Sequence, residues 1–153
     1  MGALEAGIVG LLIGRSHFVY LGAGPNSGMA REGCLKLQEM ILTYSQAFHP
    51  MEYRHGPVSL IDDKSLVVML YTQATAAEEA ALVAELQAKG AVVIGFNWPG
   101  DFRIDLGQGL ALSDEANALA CLPALQMLGE TVALAKGINS EARRHLSEVV
   151  VLQ

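Results

Sequence analysis

The chain has 153 residues, 52% of them hydrophobic and 17% charged, and a formal net charge of -6 at pH 7. This length predicts a single globular domain over residues 1–153, with enough apolar side chains for a substantial buried core. The acidic balance and the scattered Lys and Arg residues exclude nucleic acid as the expected partner, because binding a phosphate backbone needs clustered positive charge.

An apolar segment, MGALEAGIVGLLIG, opens the chain and is predicted to be a helix over residues 1–14. It has no basic leader and is too short to span a bilayer, so we expect neither a signal peptide nor a membrane anchor. Cys34 and Cys121 lie far apart in apolar helical contexts, which predicts two buried free thiols and a reducing compartment. A cytoplasmic location without a membrane partner is therefore expected.

Continuous apolar runs bounded by turn residues predict three strands, at FVYLG (18–22), LVVMLY (66–71) and AVVIGF (91–96). Runs of this kind are typical of parallel strands that are buried on both faces of a sheet. Weaker strand signals lie at 45–48 and 109–112.

Helical patterns fill the intervals 26–44 and 76–89 between these strands. A longer helix is predicted from about Asp114 to Lys136, between a Ser113 or Asp114 cap and Gly137. The alternation of strands and helices predicts an α/β protein, a three-layer α/β/α sandwich around a mostly parallel sheet.

The loop GAGPNSG follows the first predicted strand, where ligands bind in folds of this class. Its glycines would let backbone N–H groups approach an anion at the start of the next helix, so Gly24, Asn26 and Ser27 are candidate substrate-binding residues. The loop lacks a nucleotide-binding motif, and a tight turn between strand and helix is the commoner structure for such a sequence.

The next helix carries a narrow polar stripe of Glu32, Lys36, Glu39 and Thr43, which fall within an arc of roughly 60°. The opposite side of this helix is apolar and consists of Ala30, Cys34, Leu37, Ile41 and Tyr44. The stripe either lines a cavity or an interface, or is a surface pair of Glu and Lys that adds a few tenths of a kcal/mol. The pattern leaves both possibilities open.

A cluster of ionisable residues, MEYRHGP at 51–57, stands just before a Gly-Pro break. It is either a solvated loop or half of an active site. Two carboxylates and an ammonium group can move a proton between adjacent carbons, and His55 beside them can open a ring or protonate a leaving group, which is isomerase-like chemistry. We expect the polar stripe and this turn to meet in one cleft at the carboxyl edge of the sheet. The histidines lack the spacing of a metal site, so no metal or cofactor is expected.

Two segments, FVYLGAGPNSGMAREGCLKLQEM and SQAFHPMEYRHGPVSLID, resemble the second sugar-isomerase (SIS) domain of the glucosamine-6-phosphate synthase family and of related phosphosugar isomerases and deglycases. The resemblance implies a five-stranded parallel sheet of flavodoxin-like order. It implies that Glu39 moves a proton between C1 and C2 of the open-chain sugar and that His55 opens the ring. It also implies that Glu32 and Lys36 form an ionic pair that lies behind Glu39 and His55.

Three departures from that family pattern stand out. Family members normally have two such domains, and a Ser/Thr-rich loop of the first binds the phosphate of the sugar, whereas YTQATAAEE (71–79) has no such loop. The chain is therefore expected to be the C-terminal half, without the first. It also has no N-terminal catalytic cysteine, so glutamine-dependent amino transfer is not expected. In RHLSEVVVL (144–152), Glu148 stands where the synthase has a catalytic lysine and is a candidate substrate-binding residue.

Two functions fit these observations. The chain is predicted to belong to an isomerase, deglycase or deaminase that acts on an amino-substituted sugar phosphate. Alternatively, it is a sugar-phosphate-binding or dimerisation module that kept only the shape of the site. The expected partners are a sugar phosphate and either a second copy of the chain or a first-half SIS domain, because helices 1–14 and 114–136 are more apolar than one face of a small sheet can cover.

Overall fold

Strands and helices alternate along residues 2–107 and 112–140, which a computed structural model describes. The strands are β1 (His17–Gly22), β2 (Ser45–Phe48), β3 (Ser65–Leu70), β4 (Val92–Phe96) and β5 (Phe102–Ile104). The helices are α1 (Gly2–Leu12), α2 (Asn26–Ile41), α3 (Pro50–Arg54), α4 (Ala76–Ala88) and α5 (Asp114–Ala135). Short 3₁₀ turns follow at Pro57–Leu60 and Gln73–Thr75.

The five strands form one sheet in the order β2-β1-β3-β4-β5, and every neighbouring pair is parallel. β1, β3 and β4 occupy its centre, so their side chains are covered on both faces; Val19 and Val67, for example, are paired in register and fully buried. This confirms the three-layer architecture and the five-stranded parallel sheet.

Two separate cores lie on the two faces of the sheet. α1, α2 and α5 cover one face, where Leu37 and Leu125 pack on Phe18 and Tyr20. α3 and α4 cover the other, where Tyr53 packs with residues of β1, β3 and α4. Right-handed crossovers impose this arrangement, because α2 leads outward from β1 to the edge strand β2 and α3 leads back toward β3.

The last strand lies earlier in the chain than its sequence signal. Residue 112 is not in a strand and residues 109–111 lie outside the described residues, whereas β5 is formed by Phe102–Ile104. Residues 97–101 form the whole connection between the parallel strands β4 and β5. So short a connection brings its backbone into very close contact with β4. A Cβ at Gly100 would lie 2.7 Å from the Gly95 nitrogen, so only glycine fits there.

α2 ends three residues earlier than predicted. Leu42 adopts the left-handed conformation at φ 51°, and its N–H donates to the Leu37 carbonyl, which closes the helix. The turn carries Tyr44 away from the apolar side of α2, and its side chain is 71% exposed. The assignment of Tyr44 to the apolar side of the helix was therefore wrong, while Ala30, Cys34, Leu37 and Ile41 on that side are buried.

α5 is long and apolar enough to cross a membrane by composition alone. It packs instead against α2 within the first core, and the Ser113 hydroxyl caps its start by accepting the Ala116 N–H at 3.3 Å. Both cysteines are free and buried, as predicted, and burial raises the pKa of the Cys121 thiol to about 12.

Candidate active site

The polar stripe of α2 is a linear ionic cluster with an ammonium group at its centre. Lys36 Nζ lies 3.3 Å from Glu32 Oε1 and 3.4 Å from Glu39 Oε2, and all three side chains are partly exposed. Partial burial lowers the pKa of Lys36, but the hydrogen bonds and charges of Glu32 and then Glu39 outweigh it and leave that pKa above its ordinary value of 10.5. Lys36 therefore stays charged beside the two carboxylates at physiological pH.

An open groove of about 390 Å³ runs beside this stripe, between α2 and α5. Its walls are Lys36 and Met40 on α2 and Gln126, Met127 and Glu130 on α5. The groove has the volume of a small-molecule site and is largely open to solvent, and of the residues in the stripe Lys36 lines it. The α5 wall was not predicted, although the spacing of 126, 127 and 130 places these residues on one side of a helix.

His55 lies on the other side of the sheet from this groove. It caps the C-terminal end of α3, whose Tyr53 is buried in the second core, and its side chain is exposed. Glu39 belongs to α2, which covers the first face of the sheet. It lies thirteen residues after the start of this helix, and the rise of the helix therefore places it about 20 Å from the carboxyl edge of the sheet. The expectation that the stripe and the MEYRHGP turn share one cleft is wrong for a single chain, because only the start of α2 lies at that edge.

The GAGPNSG loop is a tight turn that ties β1 to β3. Gly24 has φ +52°, a conformation that favours glycine. Asn26 is buried and its Nδ2 donates to the carbonyl oxygens of Tyr71 at 2.9 Å and Leu70 at 3.3 Å. Its Oδ1 has no hydrogen-bond partner within the described part of the chain. Ser27 lies in the first turn of α2 and faces a second, smaller cavity.

The loop after β3 is held by a buried carboxylate. Buried Glu79 accepts hydrogen bonds from the Thr72 N–H at 2.8 Å and from the Thr75 hydroxyl at 3.0 Å. These two donors are therefore hydrogen-bonded within the protein instead of facing a bound anion. Glu148 lies outside the described residues. Over residues 2–107 and 112–140, no three His, Cys, Asp or Glu side chains come together in a way that could hold a metal ion.

Residues 11–97 match the SIS domain family, and this match includes β1 through β4 with the polar stripe and the MEYRHGP turn. The chain belongs to the SIS domain family. The matched range is more than half of the chain, and the parallel sheet order described above agrees with it.

Relatives of this SIS domain are phosphosugar enzymes. It is 33% identical over 143 residues to the isomerizing glutamine-fructose-6-phosphate aminotransferase of Clostridium perfringens, a match that spans 88% of the chain but 23% of that protein. The solved glucosamine-6-phosphate deaminase of Thermotoga maritima is 32% identical with a TM-score of 0.82, over 98% of this chain and 46% of that one. The tagatose-6-phosphate ketose/aldose isomerase of Escherichia coli is 29% identical with a TM-score of 0.77, over 92% and 41%. The SIS domain thus spans about a quarter of its curated relatives and less than half of these solved structures.

The buried carboxylate of Glu79 should make the stability of the SIS domain depend on pH. Burial raises the pKa of Glu79 above its ordinary value of 4.5, and the hydrogen bonds from Thr72 and Thr75 offset this only in part. Because the folded state then binds the proton more tightly than the unfolded state, the stabilisation is complete below about pH 4.5 and is lost as the pH rises through the higher folded pKa.

Replacement of Glu79 by Gln should remove this part of the pH dependence. Urea unfolding at several pH values between about 4 and 7 would measure the free energy of unfolding of both proteins. We expect the variant to gain stability relative to the wild type as the pH rises. A stability difference that stays constant over this range would show that Glu79 has the same pKa in the folded and unfolded states, and would contradict the prediction.

Proposed function

We propose that this SIS domain is the isomerase half of an enzyme that interconverts the aldose and ketose forms of an amino-substituted sugar phosphate. The observation that carries this proposal is the placement of Lys36 between Glu32 and Glu39 on the wall of the α2–α5 groove. The relatives with similar sequences and structures include a deaminase, an isomerase and an isomerizing aminotransferase of hexose 6-phosphates, which supports this class of substrate.

Glu39 is the acid-base group in this proposal. A carboxylate that removes a proton from C2 of the open-chain sugar and returns it to C1 needs to be ionised and fixed in orientation. Lys36 contributes to the fixed orientation, because its hydrogen bond holds one oxygen of Glu39. Gln126 and Glu130 on the facing wall lie where they can accept or donate hydrogen bonds to the sugar hydroxyl groups.

His55 acts on the sugar bound by a second copy of the chain. It is exposed and lies on the face opposite Glu39, so it cannot serve the groove of its own chain. An isologous dimer whose contact surface includes both the groove and the turn after α3 would bring the two together, and apolar side chains suited to part of that surface are exposed on the helical layer that contains the groove. They are Ile13 (69%), Leu119 (73%) and Leu134 (69%).

The phosphate of the substrate is held by a first-half SIS domain. The chain covers 46% and 41% of the solved deaminase and isomerase, which leaves room in those proteins for a second domain of similar size. Within the described residues the loop after β3 offers its donors to Glu79 rather than to an anion. We propose the cytoplasm as the location, where sugar phosphates are metabolised.

Mixing two inactive variants tests the shared site. In a dimer, a hybrid of Glu39→Gln and His55→Asn subunits has one site with both defects and one site with neither. An equal mixture, unfolded and refolded together, should therefore recover about a quarter of the wild-type activity with glucosamine 6-phosphate or fructose 6-phosphate, assayed in the assembled enzyme.

The two variants refolded separately are the controls, and light scattering should show a dimer in every sample. A mixture that stays as inactive as its components, from an active wild type, would contradict the shared site.

A second function is supported by the loop after β3. Because the donors of that loop are hydrogen-bonded to Glu79, the chain is also suited to be a binding or dimerisation module that leaves catalysis to another protein. Activity decides between the two functions. An assembled protein that binds hexose 6-phosphates but turns none of them over would favour the module.

A further inference from the structure

A second cavity of about 250 Å³ lies beyond the carboxyl end of the edge strand β2, where the first turns of α2 meet the start of α3. Ser27 and Arg31 of α2 form one wall, and Phe48, His49 and Glu52 form the other with Ala47. None of these residues lines the α2–α5 groove. The cavity is therefore separate from the site proposed for the sugar.

Hydrogen-bond donors lie on both walls of this cavity. His49 Nδ1 accepts the Met51 backbone N–H at 3.2 Å, so the neutral imidazole carries its proton on Nε2. The Arg31 guanidinium and the Ser27 hydroxyl are also donors. Together they suit a carboxylate, which a guanidinium binds through two parallel hydrogen bonds.

Opposite charges face the same cavity without forming an ion pair. The ion pairs within the described part of the chain join Lys36 to Glu32 and Glu39, Arg54 to Glu85, and Arg103 to Asp105. Arg31 and Glu52 belong to none of these pairs, so each charge is available to a ligand that fits between them.

We propose that this cavity binds the zwitterionic group of a small α-amino acid, with its carboxylate on Arg31, Ser27 and His49 and its ammonium group on Glu52. The volume supports a ligand of that size, because pockets for larger, drug-sized ligands measure about 300–1,000 Å³. A simple anion would leave the Glu52 carboxylate facing it, and a simple cation would meet Arg31. Only a ligand that carries both charges pairs with both Arg31 and Glu52.

Binding of glycine and L-alanine to the chain, measured by NMR titration, tests the proposal. Acetate and methylammonium carry one charged group each and are the matched half-ligands. We expect both amino acids to bind at least about ten times more tightly than either half-ligand, because each half-ligand leaves either Arg31 or Glu52 without a partner. Equal affinity for glycine and acetate, or no binding of either amino acid, would overturn the assignment.

Single charge-neutralising variants locate the site. Arg31→Gln and Glu52→Gln should each weaken L-alanine binding by about tenfold or more. Arg103→Gln is the matched control, because Arg103 is an exposed arginine on β5 at the opposite edge of the sheet.

Thermal unfolding of each variant confirms that it is folded, which is expected because Arg31 and Glu52 are exposed. If Arg103→Gln weakens binding as much as Arg31→Gln does, the interaction is a general charge effect and the proposal fails. Glu39→Gln should leave L-alanine binding unchanged, which separates this result from any outcome at the sugar site.

Discussion

Replacement of Glu39 by Gln is expected to lower the turnover of the assembled enzyme by about 10²–10⁴-fold, which is the usual contribution of a positioned acid-base group. The amide keeps the size of the side chain and an oxygen that can accept the Lys36 hydrogen bond, but it cannot remove a proton from carbon. Steady-state kinetics with a hexose 6-phosphate measure the effect, which should fall on kcat far more than on KM.

Glu85→Gln is the matched control for this loss. Glu85 is also a glutamate on a helix that forms an ion pair, with Arg54, but it lies on α4 at the other face of the sheet. Its replacement should leave kcat unchanged. Near-normal turnover in the Glu39→Gln enzyme would remove Glu39 from the mechanism.

Replacement of Gly33 by Ala is expected to cost about 1–3 kcal/mol of stability, because α2 packs on β1 without room for a methyl group. A Cβ at this position would lie 2.5 Å from Tyr20 Cε1 and 3.3 Å from Leu125 Cδ2. The Tyr20 ring is fully buried and rigid, so it cannot move aside as the end of a flexible side chain could. The expected result is a melting temperature lower by about 2–4 °C for each kcal/mol lost.

Gly28→Ala in the same helix should have the opposite effect. A Cβ at Gly28 meets nothing within 4 Å, so alanine there gains about 0.5–1 kcal/mol from the reduced backbone freedom of the unfolded chain. Calorimetric melting of both variants gives the comparison. Equal melting temperatures for the two variants would show that the space around Gly33 does not limit the packing of α2.

The central strands were predictable because burial on both faces leaves an uninterrupted apolar run, as in Val67 to Leu70 of β3. β5 was not predictable in this way. It is only three residues long and contains the exposed Arg103, and its place beside β4 depends on the close contact at Gly95 and Gly100. The exposed position of Tyr44 likewise followed from the left-handed turn at Leu42, a residue type that rarely adopts that conformation.

The candidate site was predictable where its contacts are local. The ionic cluster of Glu32, Lys36 and Glu39 follows from i,i+3 and i,i+4 spacing on one helix. The positions of His55 and Glu130 relative to that cluster depend on which face of the sheet each helix covers. Crossover handedness determines that placement, and a motif within one segment contains no information about it.

The two buried cysteines give the domain a chemical reporter of its own unfolding. Thiol reagents attack the thiolate, and a pKa of about 12 leaves almost none of Cys121 in that form while the domain is folded. Cys34 is buried as well, beside the Ser45 hydroxyl at 3.2 Å. Alkylation should therefore proceed through molecules that are transiently unfolded. Its rate under native conditions would measure the population of these molecules without any denaturant.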